Sequence, residues 1–398
     1  MRILQSVAAF ALCTTATIGF TASAAQAAPK QLVVVVAEGL SPQVIDLGSS
    51  YVKTSSTDPD TTIAFSDLKA QGKTATATGD AWSSMRGVLK TAAAHGYKTG
   101  VVTTGSVAND AALLYDVPTE GAASTLVKTT KADFLGGGGR SAFSADLTKS
   151  FKASGNTALL NADEFENADE VKGRVLALES DNDLSYALDR DTSAEVGIGD
   201  MASLAMRTLG GDSDKPYILV VHDTNIARAL AAKDTPALFG EFREVDALVG
   251  DVLSTRSALD KPDDMALAVI STGATMAPKY TSDVAADRSN AVFMATQLNS
   301  SYAKATSTLK GATDEDVTTF TTDTYIGWKP SADVRAKIVA GTMTGEDAVR
   351  ASYEPAIAIG YDATTVAPMA YVIGLDSGDV VKAVAAVASS AVASSKAK

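Results

Sequence analysis

Histidine and cysteine are nearly missing from this chain, which has two histidines, His95 and His222, and one cysteine, Cys13, among 398 residues. A single cysteine excludes an intramolecular disulfide and any cluster of thiolate ligands. Two histidines leave little for a metal centre rich in imidazole. Positive charge is scarce as well: 34 Lys and Arg stand against 47 Asp and Glu, a net charge of -13. Such a balance argues against nucleic acid and anionic membrane surfaces as partners. Beyond residue 27, no apolar run reaches the roughly 18 residues a bilayer span requires.

What is present begins with a leader. Met1-Arg2, the apolar run from Ile3 to Ala22, and Ala25-Gln26-Ala27 before Ala28-Pro29 have the order of a positive start, an apolar middle and a small-x-small cleavage site. The reading is an export signal cut after Ala27, so residues 1–27 are leader and the product is periplasmic or secreted. Cys13 leaves with it, and Leu12 before it is not the small residue of a lipid-anchored cysteine. Residues 28–378 are read as one α/β domain and 379–398, almost wholly Ala, Val, Ser and Lys, as a low-complexity tail.

The domain is organised around Gln31-Leu-Val-Val-Val-Val-Ala-Glu38-Gly39. Continuous apolar residues ending in an acid and a glycine read as a buried parallel strand whose carboxyl end opens into a loop. In open α/β sheets, ligands and catalytic groups gather at that edge, so Glu38 is the first candidate. Further buried strands are expected at Tyr97–Gly105, Tyr217–Asp223, Met265–Gly273, Ala356–Gly360 and Pro368–Gly374, with helices at Met85–His95, Met201–Leu209 and 237–259. Strands alternating with helices predict an α/β fold, a mostly parallel central sheet with helices on both faces. Asp133-Phe-Leu-Gly-Gly-Gly-Gly-Arg140 predicts a place where backbone passes close to something or turns sharply. Trp82 and Trp328 are read as packing residues.

Taken in order, these landmarks resemble the alkaline phosphatase family over most of residues 31–376. Val33–Gly39 resembles its first strand, ending in Gly-Asp-Gly. Thr74-Ala-Thr-Ala-Thr-Gly79 is similar to its Thr-Ala-Thr-rich turn and helix start beside the nucleophile, and Ala93–Thr104 to its Ala-Gly-Lys-Ala-Thr-Gly-Val-Val-Thr-Thr segment. The glycine run, Tyr217–Arg228 and Ala266–Thr272 fall where the family has Leu-Gly-Gly-Gly, Glu-Gly-x-x-Ile-Asp-His and the strand before Asp-His. Residues 276–355 correspond to a variable insert.

The resemblance implies phosphoryl transfer with a serine nucleophile, two zinc ions and a third site usually filled by magnesium. Thr74 is the one residue offered as nucleophile. Glu38 stands at the bridging aspartate, Asp110 at an acid of the outer site and His222 at the magnesium-site glutamate, with Asp223 beside it. Asp362 is the nearest candidate for the last histidine. Elsewhere Ala112, Ala227, Ala231, Gly273 and Ala274 fall at ligand positions and cannot coordinate, so the two zinc ions are expected to be absent. A single hard cation such as Mg2+ on the remaining oxygens is one reading of Glu38, Asp110, His222 and Asp223. That these groups cap helices and bond loop amides is the other.

Two functional expectations follow. One is an exported, catalytically degraded relative acting as a binding or structural protein on a phosphate ester or another ligand. The other is a working metal-dependent phosphomonoester hydrolase with a divergent site. A homodimer is compatible with either.

Overall fold

The structure is a computed structural model that describes residues 28–390 apart from 78–79, 169–170, 212–215, 283–284, 325–329 and 377. The leader with Cys13, Trp328 and the last eight residues therefore lie outside the described residues. Eleven strands are described: Gln31–Ala37 (β1), Lys73–Ala75 (β2), Lys98–Ser106 (β3), Phe134–Gly138 (β4), Thr157–Leu159 (β5), Val175–Leu178 (β6), Tyr217–Asp223 (β7), Met265–Ser271 (β8), Ala274–Tyr280 (β9), Ile359–Val366 (β10) and Met369–Ile373 (β11).

Nine of these form one sheet in the order β2-β11-β8-β1-β7-β3-β4-β6-β5. Every described pairing in it is parallel except those of β11, which runs antiparallel to β8 and β2. The valine run explains why β1 is central. Leu32 to Ala37 are wholly buried, with Val33, Val35 and Ala37 packed into one core and Leu32, Val34 and Val36 into the other. An alternation of two buried faces needs helices above and below, and both are there. The Thr235–Ala258 helix covers one face through Phe242, Val245 and Val249. Met85, Leu89 and Ala111 lie on the other.

The glycine run does what the sequence suggested. β3 bulges between Thr103 and Ser106 where it pairs with β4. Gly137, at φ +142°, passes so close that a Cβ there would strike the Thr103 carbonyl. A bulge of this kind re-aims the side chains around it. Here it turns the end of β3 toward the carboxyl edge of the sheet.

Two local expectations differ from the structure. Ala356 and Ile357 belong to the Gly345–Ile357 helix, capped by Thr344, and the strand starts only at Ile359 after Ala358 reverses the chain at φ +50°. The Thr74 segment is not the start of a helix: Lys73–Ala75 is an edge strand whose one sheet neighbour is β11. Alternating Thr and Ala serve a strand edge better than a helix, because Thr is β-branched.

β9 and β10 form a separate antiparallel pair. Beyond them the helices between residues 285 and 357 gather a third core, with Tyr302, Val317 and Val349 at its centre and Tyr51 and Phe239 of the main body stacked at its border, 4.9 Å apart. The Val380–Ser389 helix, capped by Asp379, returns to the main sheet and buries Val380, Val384 and Ala388. Tyr97 holds its end through a 2.6 Å hydrogen bond with Ser390.

Candidate functional site

Three side chains far apart in sequence meet at the carboxyl edge. The Glu38 amide still donates to the Asp223 carbonyl at 2.8 Å, extending the β1–β7 ladder by one bond. Gly39 then leaves the sheet at φ +80° and Ser41 caps the next helix. On β7, His222 has 2% residue exposure. On the Val107–Leu114 helix, Asp110 sits in the first turn, facing back to the strand ends.

His222 stands between the two acids. Its Nδ1 is 2.9 Å from Asp110 Oδ2 and its Nε2 is 3.1 Å from Glu38 Oε1. Burial by itself would lower the imidazole pKa, but the hydrogen bonds and charges of Asp110 and Glu38 outweigh it and hold the ring up at about 9. At neutral pH both ring nitrogens are protonated donors and the histidine is a cation. The Thr103 hydroxyl donates to the same Asp110 oxygen at 2.6 Å and accepts the Gly105 amide at 2.9 Å, so the β3 bulge fixes the acid. Above the imidazolium lies Trp82, carried by the short Ala81–Ser84 helix that Asp80 caps; the rings stack at 3.8 Å and 19°. Of the three, Glu38 is the member with appreciable contact with solvent: its side chain is 33% exposed against 14% for Asp110.

The remaining candidates are placed elsewhere. Asp223 is fully buried and turns to the Asn225–Ala232 helix, where it accepts the Asn225 and Ile226 amides at 3.3 and 3.2 Å. Burial pushes its carboxyl up to about 6 against the Ile226 bond. Asp362, on β10, pairs with Lys279 at 2.7 Å on the side sheet. Thr74 is exposed on β2, opposite Tyr371. Of the residues singled out in the sequence, Glu38, Asp110 and His222 meet at one edge, and Asp223, Asp362 and Thr74 do not join them; sequence reading missed Thr103 and the use of Trp82. Thr103 could have been found as the hydroxyl closing a buried strand seven residues before Asp110. Nothing local announces the Trp82 stack.

Do these residues fit the zinc centre that the resemblance implies? Metal ligation needs an unprotonated imidazole nitrogen, and each ring nitrogen of His222 faces a carboxylate oxygen, so an ion there would have to displace a proton and one of these contacts. The Asn225–Ala232 helix packs directly onto Gly39 after β1, where a Cβ would lie 3.0 Å from Ala227 Cα and 2.9 Å from Leu230 Cδ1. One imidazole and two carboxylates do not make the donor set of a pair of zinc ions. Among the described residues, no group of three or more His, Cys, Asp or Glu is arranged to hold a metal ion. Nor is any helix there long and apolar enough to cross a membrane.

No family model matches the chain, and no curated protein matches it by sequence. Solved structures do. The alkaline phosphatase of Thermus thermophilus superposes with a TM-score of 0.71 over 94% of this chain and 95% of that one, at 17% identity. A cold-active alkaline phosphatase from the psychrophile Shewanella sp. gives 0.69 over 90% and 98%, at 16% identity. The fold is alkaline-phosphatase-like.

Proposed function

We propose that this chain uses an alkaline-phosphatase-like fold as an exported binding or structural protein, with an ion triad of Glu38, His222 and Asp110 in place of a zinc centre. The observation that carries the reading is the pairing of both His222 ring nitrogens with carboxylates. A positive charge made by the protein itself sits among acids that would otherwise attract a cation, and the Trp82 ring covers it. Phosphomonoester hydrolysis through a covalent intermediate needs a nucleophile, and losing one costs many powers of ten in rate. Thr74 lies exposed on the edge strand, three places from β1 in the sheet order. The leader pattern supports export with cleavage after Ala27.

The test is elemental mass spectrometry on mature protein purified without chelator, with p-nitrophenyl phosphate turnover measured on the same sample. The expected result is substoichiometric zinc and no turnover above a boiled control. About two zinc per chain with turnover that a chelator abolishes would replace this reading with a working phosphomonoesterase. Loss of that turnover in Thr74→Ala would then assign the nucleophile.

A further inference from the structure

Behind the ion triad, where the loop between β6 and the Ile198–Gly210 helix meets the Thr235–Ala258 helix, the charges do not balance. Asp223, Glu195, Glu241 and Glu244 set four carboxylates around one guanidinium, that of Arg190. Arg190 is already engaged: it holds both Glu244 oxygens, at 2.6 and 3.0 Å, and reaches Glu195 at 3.3 Å. His222, next to Asp223 on β7, is shared by Glu38 and Asp110. Glu241 faces Glu244 and Asp223, and burial together with these two charges pushes its carboxyl well above the usual range against the pull of Arg190.

The same place is short of donors. Glu241 and Asn225 are wholly buried, and among the described residues Glu241 Oε2 and Asn225 Oδ1 have no hydrogen-bond partner. Their other atoms fix where these oxygens lie. Glu241 Oε1 accepts the Ala187 amide at 2.6 Å and Asn225 Nδ2 donates to the Ser185 carbonyl at 3.4 Å, so both side chains end on the same three residues of the loop. The Ser185 bond also sets the orientation of the Asn225 amide, because Oδ1 in that place would meet another oxygen. Asp223 Oδ1 is held only loosely, 3.3 Å from the Asn225 amide and 3.4 Å from the Thr104 hydroxyl.

Three buried oxygens short of bonds, all of them acceptors, in a seam of excess negative charge call for a positive ligand. A proton bridges two of them at most, whereas a metal cation takes several oxygens at once. Two carboxylates and one amide fall short of the ligand set of a divalent ion, and among the described residues no group of three acids is arranged for one. We infer that a monovalent cation, Na+ or K+, binds between loop residues 185–187 and the Thr235–Ala258 helix through Glu241 Oε2, Asn225 Oδ1 and Asp223 Oδ1. The site is independent of whether the protein hydrolyses phosphate esters.

Urea unfolding of the mature chain tests this in NaCl, KCl and N-methylglucamine chloride at equal ionic strength. Above the dissociation constant, each tenfold rise in Na+ or K+ should add the same step of stability, about 1.4 kcal/mol, and N-methylglucamine should add none. In Glu241→Gln an amide donor replaces the ion and removes a charge, so the chain should fold and the step should vanish. Sodium NMR relaxation on the unmodified protein should show line broadening that K+ displaces and N-methylglucamine does not. Should Glu241→Gln fail to fold, that displacement decides. Equal stability in the three salts, the same step in Glu241→Gln, or a step given by Ca2+ alone would each overturn the assignment. So would stability that follows pH and ignores Na+ and K+, which would place a proton on Glu241 instead.

Discussion

β1 and β7 run side by side and carry polar groups at both ends, yet the two ends are finished differently. At the carboxyl ends Glu38 and His222 are joined, tied to Asp110 and covered by Trp82. At the amino ends Gln31 and Tyr217 are equally adjacent, but the Tyr217 hydroxyl meets open space. Burial is similar, at 2% exposure for His222 and 1% for Tyr217. What separates them is the number of partners. A buried group with every hydrogen bond made is part of the scaffold, whereas a hydroxyl that reaches a cavity can be served by water.

Breaking the carboxyl end should have the largest effect. His222→Ala leaves Glu38 and Asp110 as unneutralised neighbours and empties the space under Trp82; the expected loss is about 4 kcal/mol in urea unfolding at pH 7. The same contact gives a pH dependence. The folded-state pKa of His222 is raised to about 9, so its stabilisation is complete below the unfolded value near 6.5 and disappears as pH rises through 9. Unfolding midpoints measured from pH 6 to 10 should fall by the equivalent of ~3 kcal/mol, and the fall should be absent in His222→Gln. Asp110→Asn keeps the shape while removing one charge from the triad; a loss of about 2 kcal/mol is expected, with the pH-dependent fall shifted to lower pH. At the amino end, Tyr217→Phe should leave stability within about 0.5 kcal/mol of wild type, since the lost hydroxyl had no bond to break. A large loss there would end the contrast between the two ends.

Much of this was legible before any coordinates. The buried strands announce themselves because a run such as Val33–Val36 has no other stable home, and an acid at the end of such a run belongs at the sheet edge. Glu38, Asp110 and His222 were legible through the order of segments along the fold. The bonds among them were not, because contacts between residues 38, 110 and 222 depend on sheet order and on the β3 bulge. Asp362 was offered only as the nearest candidate for the family's last histidine, just past the expected Ala356–Gly360 strand; the pairing of Ile359–Val366 with β9 puts it on the side sheet. Thr74 suffered from Thr-Ala alternation, which suits either a helix start or an edge strand. Asp223 was ambiguous for another reason: an acid after a strand and before a helix serves as cap or ligand, and here the free amides of the following helix take it.

The sheet order also dictates a sequence of events. β1 is the first strand of the domain, but its neighbours are β7 and β8, so it has no strand partner until residues 217–223 are available. β2 waits longer still, since its partner β11 pairs Ala370 with Ala75 near the other end of the chain. Pairings this distant close slowly. Until those residues are made, the valine run remains an unpaired, strongly apolar segment, the kind that chaperones exist to shield.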